Sequence, residues 1–358
     1  MIMAMVDKVV TATTGQLLFC RRGLHREMKA LVYTAPESLA WRDEPEPSLP
    51  SGECLVRVHA VGICGSDMHA YLGHDERRPA PLILGHEAAG VVVEGPGSGR
   101  RVTVNPLATC GKCRACKTGR NNLCAKRQIL SMAPRQGAFA EYIAIPAENL
   151  VEMPDEVTFE KACLAEPLAC GWHAVRLGAR TGEVPLPAAR CLVIGGGAIG
   201  LGAALALRAN GVADITVSEA NHRRLPALKS AGTFRIATPD EIMTEDPGGY
   251  DLVIDGVGFS ATRTTASRAA RPGGVIVHIG LGDATAGLDI RRLTLQEITF
   301  IGAYTYTPQD FRDTAAAIFD GRLGSLDWAE VRALEDGAGA FVDILAGEAA
   351  APKIILRP

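Results

Sequence analysis

The chain has 358 residues, and about 150 residues per domain leads one to expect two domains with a large buried core. Hydrophobic residues make up 47% and charged residues 22%, which excludes a disordered chain. The net charge of −3 lacks the broad positive field of a dedicated nucleic-acid binder, and no uncharged apolar run nears the roughly 18 residues that span a membrane.

Residues 1–27 have no clear period and no secretory pattern, since Asp7 and Lys8 interrupt any apolar block. They read as a start-site artefact or a disordered leader, because Met28–Tyr33 begins like a first strand. Without an export signal the expected compartment is the cytoplasm, where thiols stay reduced.

Cys64, Ser66, Asp67 and His69 place a thiol, a hydroxyl, a carboxylate and an imidazole within six residues. His86 and Glu87 follow, and Glu166 precedes Pro167. Cys, His and Glu all bind zinc, and a three-ligand site leaves the fourth position for water or substrate. Each residue alone has a plainer reading, as a satisfied polar side chain or a helix cap. Tyr71 to Arg78 reads first as a solvated loop, although Arg77 and Arg78 could accept a sugar phosphate or an acidic group.

Cys110, Cys113, Cys116 and Cys124 form C-x2-C-x2-C-x7-C. Short gaps let thiolates converge on one ion, and four of them close a tetrahedron, as in a structural zinc site. The surrounding cations, from Lys112 to Arg127, offset the net charge of a four-thiolate site, and no aromatic residue interleaves to stack on bases. Cys20, Cys54, Cys163, Cys170 and Cys191 sit among apolar neighbours and read as small core residues.

Residues 189–194 read as a buried strand, followed at once by Gly195-Gly196-Gly197-Ala198-Ile199-Gly200, a G-x-G-x-x-G match. A helical pattern runs on to Asn210 and stops at Gly211. A pyrophosphate would rest on that helix start, near Gly195, Gly197, Ala198, Ile199 and Gly200. The next strand, 214–218, ends at Glu219, 24 residues after Gly195, where an acid can hold the adenosine ribose and repel a 2′-phosphate. NAD is therefore favoured over NADP, with Arg223 and Arg224 as the opposing signal. Strands at 250–255, 275–279 and 299–303, a helix at 261–270 and a turn at 271–274 complete a doubly wound parallel sheet.

These motifs together resemble the zinc-containing medium-chain dehydrogenases, in the polyol (sorbitol-type) and threonine dehydrogenase branch, over nearly the whole chain after the leader. The resemblance implies an α/β chain with a GroES-like β-barrel catalytic domain and an inserted Rossmann domain. Expected boundaries are 28–185 for the first catalytic part, 186–303 for the NAD-binding domain and 304–358 for the return. It implies two Zn2+ per chain, NAD, and a homodimer or homotetramer. It also assigns roles: Cys64 and His86 as constant zinc ligands, Glu87 or Glu166 as the third, Ser66 and His69 as proton relay, and Asp67 behind the ligands. Gly65 stands where some relatives carry a pyrophosphate-binding Arg, with Lys353 as a substitute. Tyr304 and Tyr306 border the site or pack in the fold.

The implied activity is reversible oxidation of a secondary alcohol on a polyol or sugar alcohol. The partner is then a small-molecule alcohol, with no nucleic acid and no membrane. The alternatives are an L-threonine 3-dehydrogenase-like or other amino-alcohol enzyme, and a zinc-stapled, nucleotide-binding redox sensor without turnover.

Overall fold

The computed structural model describes residues 26–245 and 248–358. Cys20 and nearly all of the expected leader lie outside them. The leader's last residue, Glu27, already opens the first strand, Glu27–Ala35.

The barrel half is built from a three-stranded sheet and a larger mixed sheet. In the latter, Glu53–Gly62 pairs antiparallel with Glu87–Glu94, with Gly62 opposite Glu87. The C-terminal strand Ile354–Arg357 pairs antiparallel with the other edge of Glu53–Gly62, setting Ile355 opposite Gly62. Two distant segments are thus brought to one point, where the strand ends and Ile63-Cys64 begins. Val56 and Val58 alternate on the central strand and, past a register shift between Val58 and Ala60, Val61 joins them in the barrel core with Leu31, Phe139 and Phe341.

The second half is a six-stranded parallel sheet in the order Arg235–Ala237, Ile215–Ser218, Cys191–Ile194, Tyr250–Asp255, Ala270–His278, Thr299–Gly302. In chain order this is 3-2-1-4-5-6, with the switch point beside the glycine-rich turn. Both faces are buried. Cys191 and Val193 face one core while Leu192 and Ile194 face the other, as a two-residue period requires. The third strand, Arg235–Ala237, has only three residues and left no readable signal. Residues 271–274 belong to the strand Ala270–His278 rather than to a separate turn. The pairing takes up an irregularity there, between Tyr250 and Leu252.

Two further helices share this core although both lie outside 186–303. The helix Ala165–Thr181 packs Leu168, Ala169 and Val175 onto it, and Pro308–Phe319 packs Phe311, Ala315 and Ile318. They are joined by a polar clamp. Asp310 accepts from His173 Nδ1 (2.8 Å) and from Arg176 Nε (2.5 Å) and Nη2 (2.8 Å). The same carboxylate takes Thr307 N and Oγ1, capping its own helix. Burial pushes the Asp310 carboxyl up, but the bonds from His173 and Arg176 outweigh it and hold the group below the usual carboxylate range.

Candidate metal centre and dinucleotide groove

Cys64 ends the strand-to-helix turn ahead of the helix Gly65–Tyr71. Fully buried Asp67 stitches this turn to the next functional segment. One oxygen accepts from Cys64 N (3.0 Å); the other accepts from Gly85 N (3.1 Å) and faces His86 Nδ1 at 3.5 Å. Ser131 Oγ meets the same ring nitrogen at 3.4 Å. The imidazole is oriented through Nδ1, so Nε2 is the atom left for a ligand role.

Ligand atoms of Cys64, His86 and Glu87 all lie within 4.8 Å of one another. Glu87 is fully buried and receives Lys353 Nζ on Oε1 at 2.6 Å; that ammonium also donates to Ile63 O at 2.7 Å. Burial alone would lower the Lys353 pKa, but the Glu87 charge reverses this and pushes it up to about 12. Glu87 Oε2 has no partner among the described residues. An orphaned carboxylate oxygen beside a thiol and an imidazole is a donor set that fits zinc. Gly62 is a condition of this arrangement, since a Cβ there would sit 2.0 Å from Glu87 Oε2. Glu87 and Ile63 take two of the three Lys353 donors, and Lys353 also lines the dinucleotide cavity.

Glu166 stands apart from this trio. It lies in the first turn of Ala165–Thr181, where Pro167 costs no hydrogen bond and an acid suits the helix dipole. Its Oε1 accepts from the buried Tyr306 hydroxyl at 2.7 Å. Burial, with the nearby Glu87 charge adding to it, raises the Glu166 carboxyl pKa against the pull of His86. Glu166, Cys64, Ser66, His69 and His86 line one cleft of about 420 Å³, within the range of small-molecule sites. Tyr304 and Thr305 border the same cleft, and Tyr306 reaches it through Glu166. Cys170, expected in the core, also lines the cleft.

A second cavity of about 570 Å³ adjoins it and holds Gly195, Gly197, Ala198, Ile199, Gly200, Glu219 and Arg224. Cys64 and Ile199 line both cavities. Gly197 caps the helix Ala198–Ala209 without a side-chain bond, which leaves first-turn amides for an anion. A Cβ at Gly200 would lie 1.8 Å from Gly195 O, so the turn closes only around glycine. Glu219 accepts from Gly196 N (2.8 Å) and Asn221 N (2.6 Å), which fixes the carboxylate at the end of its strand. Arg224 Nη1 lies 3.5 Å from the same carboxylate, so its charge is already countered. This groove fits a dinucleotide, with Glu219 set against an extra phosphate.

Cys110, Cys113, Cys116 and Cys124 converge. Sγ separations are 3.5 Å for Cys113–Cys116 and for Cys110–Cys124, and 4.0 Å for Cys110–Cys116. Zinc–sulfur bonds of about 2.3 Å make tetrahedral edges of about 3.8 Å, so this set also fits zinc. Its lobe reaches the cleft: Asn122 Nδ2 donates to Tyr304 O at 2.8 Å, and Arg127 stacks over the Tyr304 ring at 5.0 Å.

Among the described residues, no helix is long and apolar enough to cross a membrane. Residues 50–155 match the alcohol dehydrogenase GroES-like domain, and residues 198–320 match the zinc-binding dehydrogenase domain. Sorbitol dehydrogenase of Bacillus subtilis (strain 168) is 33% identical over 315 residues, covering 82% of this chain and 88% of that protein. L-galactonate-5-dehydrogenase of Escherichia coli (strain K12) is 31% identical over 318 residues, covering 83% and 88%. An alcohol dehydrogenase from Escherichia coli CFT073, crystallised with NADH, superposes with a TM-score of 0.82 at 25% identity, covering 93% of this chain and 99% of that one.

Proposed function

The chain belongs to the zinc-containing medium-chain alcohol dehydrogenase family, in its polyol dehydrogenase branch; on that premise we propose that it oxidises a secondary alcohol of a polyol to the ketone, passing hydride to NAD and a proton to water. The observation that carries this reading is the place of Cys64, on the wall common to the small-molecule cleft and the dinucleotide groove.

Cys64, His86 and Glu87 would hold the catalytic zinc, which supplies a Lewis acid of the kind that brings bound water from a pKa of 15.7 to about 7. NAD supplies the hydride acceptor. Asp67 fixes the thiolate and the imidazole relative to each other through its two oxygens. Lys353 holds Glu87 Oε1, while Oε2 has no partner among the described residues. Ser66 Oγ accepts the substrate hydroxyl proton as it gives up its own, and the released proton leaves to solvent by way of exposed His69 on the same cleft wall. Glu166, held by Tyr306, borders the cleft and orients the substrate or an intervening water. The four-cysteine lobe would hold the second zinc, and it braces Tyr304 against the cleft.

The working form is a homodimer or homotetramer. In support, Thr299–Gly302 is an open sheet edge, and Ile290 and Leu295 on the preceding helix are exposed apolar residues. We place the protein in the cytoplasm, where its clustered thiols stay reduced.

The test is Cys64→Ala. The folded variant should bind one zinc per chain instead of two and lose NADH formation on a polyol panel. Full turnover by the variant would overturn the assignment.

A further inference from the structure

The stretch Tyr71 to Arg78 reads in the sequence as a solvated loop; His74, Glu76 and Arg77 are exposed as that reading expects, while Tyr71 and Arg78 are buried. Arg77 and Arg78 both line the cleft that holds Cys64, Ser66 and His86. Arg78 is buried, with Nε on Ser131 O at 3.0 Å and Nη1 on Asp75 Oδ2 at 2.6 Å. Asp75 also receives Arg77 Nε (2.8 Å), Nη2 (2.9 Å) and backbone N (3.1 Å). Two guanidinium groups therefore share one carboxylate.

We propose that the cleft selects a polyol bearing a terminal carboxylate, an aldonate, and that Arg77 is the residue that binds this carboxylate. The proposal rests on the polyol oxidation argued above and narrows its substrate class.

Charge counting supports it. At the Asp75–Arg78 part of the wall, two arginines and one aspartate leave a single positive charge; the other carboxyl in the cleft, Glu166, is held by Tyr306 and has its pKa raised by burial. Burial pushes the Asp75 carboxyl up, but the bonds from Arg77 outweigh this and hold it at about 2, so the balance persists across the working pH range. One positive charge matches a carboxylate; a phosphate near two negative charges would remain undercompensated. A neutral alditol would leave the charge unmatched and would need only amide and hydroxyl partners.

Preorganisation supports it as well. Asp75 fixes Arg77 through Nε and Nη2, yet 57% of the Arg77 side chain stays exposed, and Nη1 has no partner among the described residues. A guanidinium already held in place loses little freedom on binding a carboxylate. Thr305, on backbone with φ +46°, lines the same wall.

The experiment compares kcat/KM with NAD for aldonates, the matching alditols and alditol phosphates. The best aldonate should exceed its alditol at least tenfold. Arg77→Gln should lower the aldonate-to-alditol ratio by roughly 10–100-fold, chiefly through KM, and Arg77→Lys should restore part of it. Calorimetric titration of the preferred aldonate without NAD should show weaker binding to Arg77→Gln by a similar factor. Preference for the alditol or the phosphate overturns the proposal, as does an unchanged ratio in Arg77→Gln. Equal turnover of alditols and aldonates defeats this proposal alone, whereas no NADH from any alcohol defeats the polyol reading beneath it.

Discussion

Replacing Lys353 with Met leaves Glu87 as a buried anion without a donor. The Lys353 side chain is 4% exposed and that of Glu87 0%, so water cannot take over. Both the 2.6 Å bond to Glu87 Oε1 and the 2.7 Å bond to Ile63 O vanish, while Oε2 already lacks a partner among the described residues. Removing one member of a buried ion pair costs about 3–5 kcal/mol. At about 2.1 cal/mol/K of unfolding entropy per residue, the metal-stripped chain should lose about 4–7 °C of Tm. The zinc-loaded protein should lose less, because the cation offsets part of the uncompensated charge. The assay is thermal unfolding of Lys353→Met, Glu87→Gln and the double variant, each with and without chelator. The double variant should recover most of the loss, a coupling of at least about 2 kcal/mol. Additive costs within about 0.5 kcal/mol, or an equal shift with and without zinc, would refute the reasoning.

Three further outcomes are expected. Cys113→Ser should reduce zinc from two to one per chain and raise the alcohol KM, because the same lobe braces Tyr304; metal analysis with steady-state kinetics checks both. Glu219→Ala should lower the NAD-to-NADP ratio of kcat/KM by roughly 10–100-fold, since it removes the carboxylate and releases Arg224 toward a 2′-phosphate. The Asp310 carboxyl is held below its ordinary value in the fold, so its stabilisation is complete above roughly pH 4 and is lost as the pH falls toward the lowered value. Asp310→Asn should flatten that acid limb of the stability curve; an unchanged limb in chemical denaturation would show that the clamp contributes nothing.

The legible parts of the chain are those whose chemistry is local. The four cysteines converge because their spacing forces them to, and the glycine turn sits between strand and helix as its motif requires. Cys64, His86, Glu87 and Glu166 were readable as ligand candidates, but the choice among the acids depends on tertiary contacts. Glu87 is held by a lysine 266 residues away and Glu166 by a tyrosine 140 residues away. The Asp310 clamp likewise spans 137 residues to His173. Arg78 looked solvated because nothing nearby in sequence announces Ser131, 53 residues on, as the carbonyl that buries it. The strand Arg235–Ala237 was missed because three residues carry too little periodicity to detect.

The helix Ala165–Thr181 carries a consequence for the placement of Glu166. Its length is anchored in the core shared with the parallel sheet and clamped to Pro308–Phe319, while Cys64 and Glu87 are borne by barrel strands and the turn that follows them. Ala60 and Ala89 of the barrel strands lie in that same core, so the helix is a shared wall between the two halves, with Glu166 at the end that faces the cleft. A substitution that shifts this helix in its bed would therefore disturb the acid's position without touching the thiolate or the imidazole.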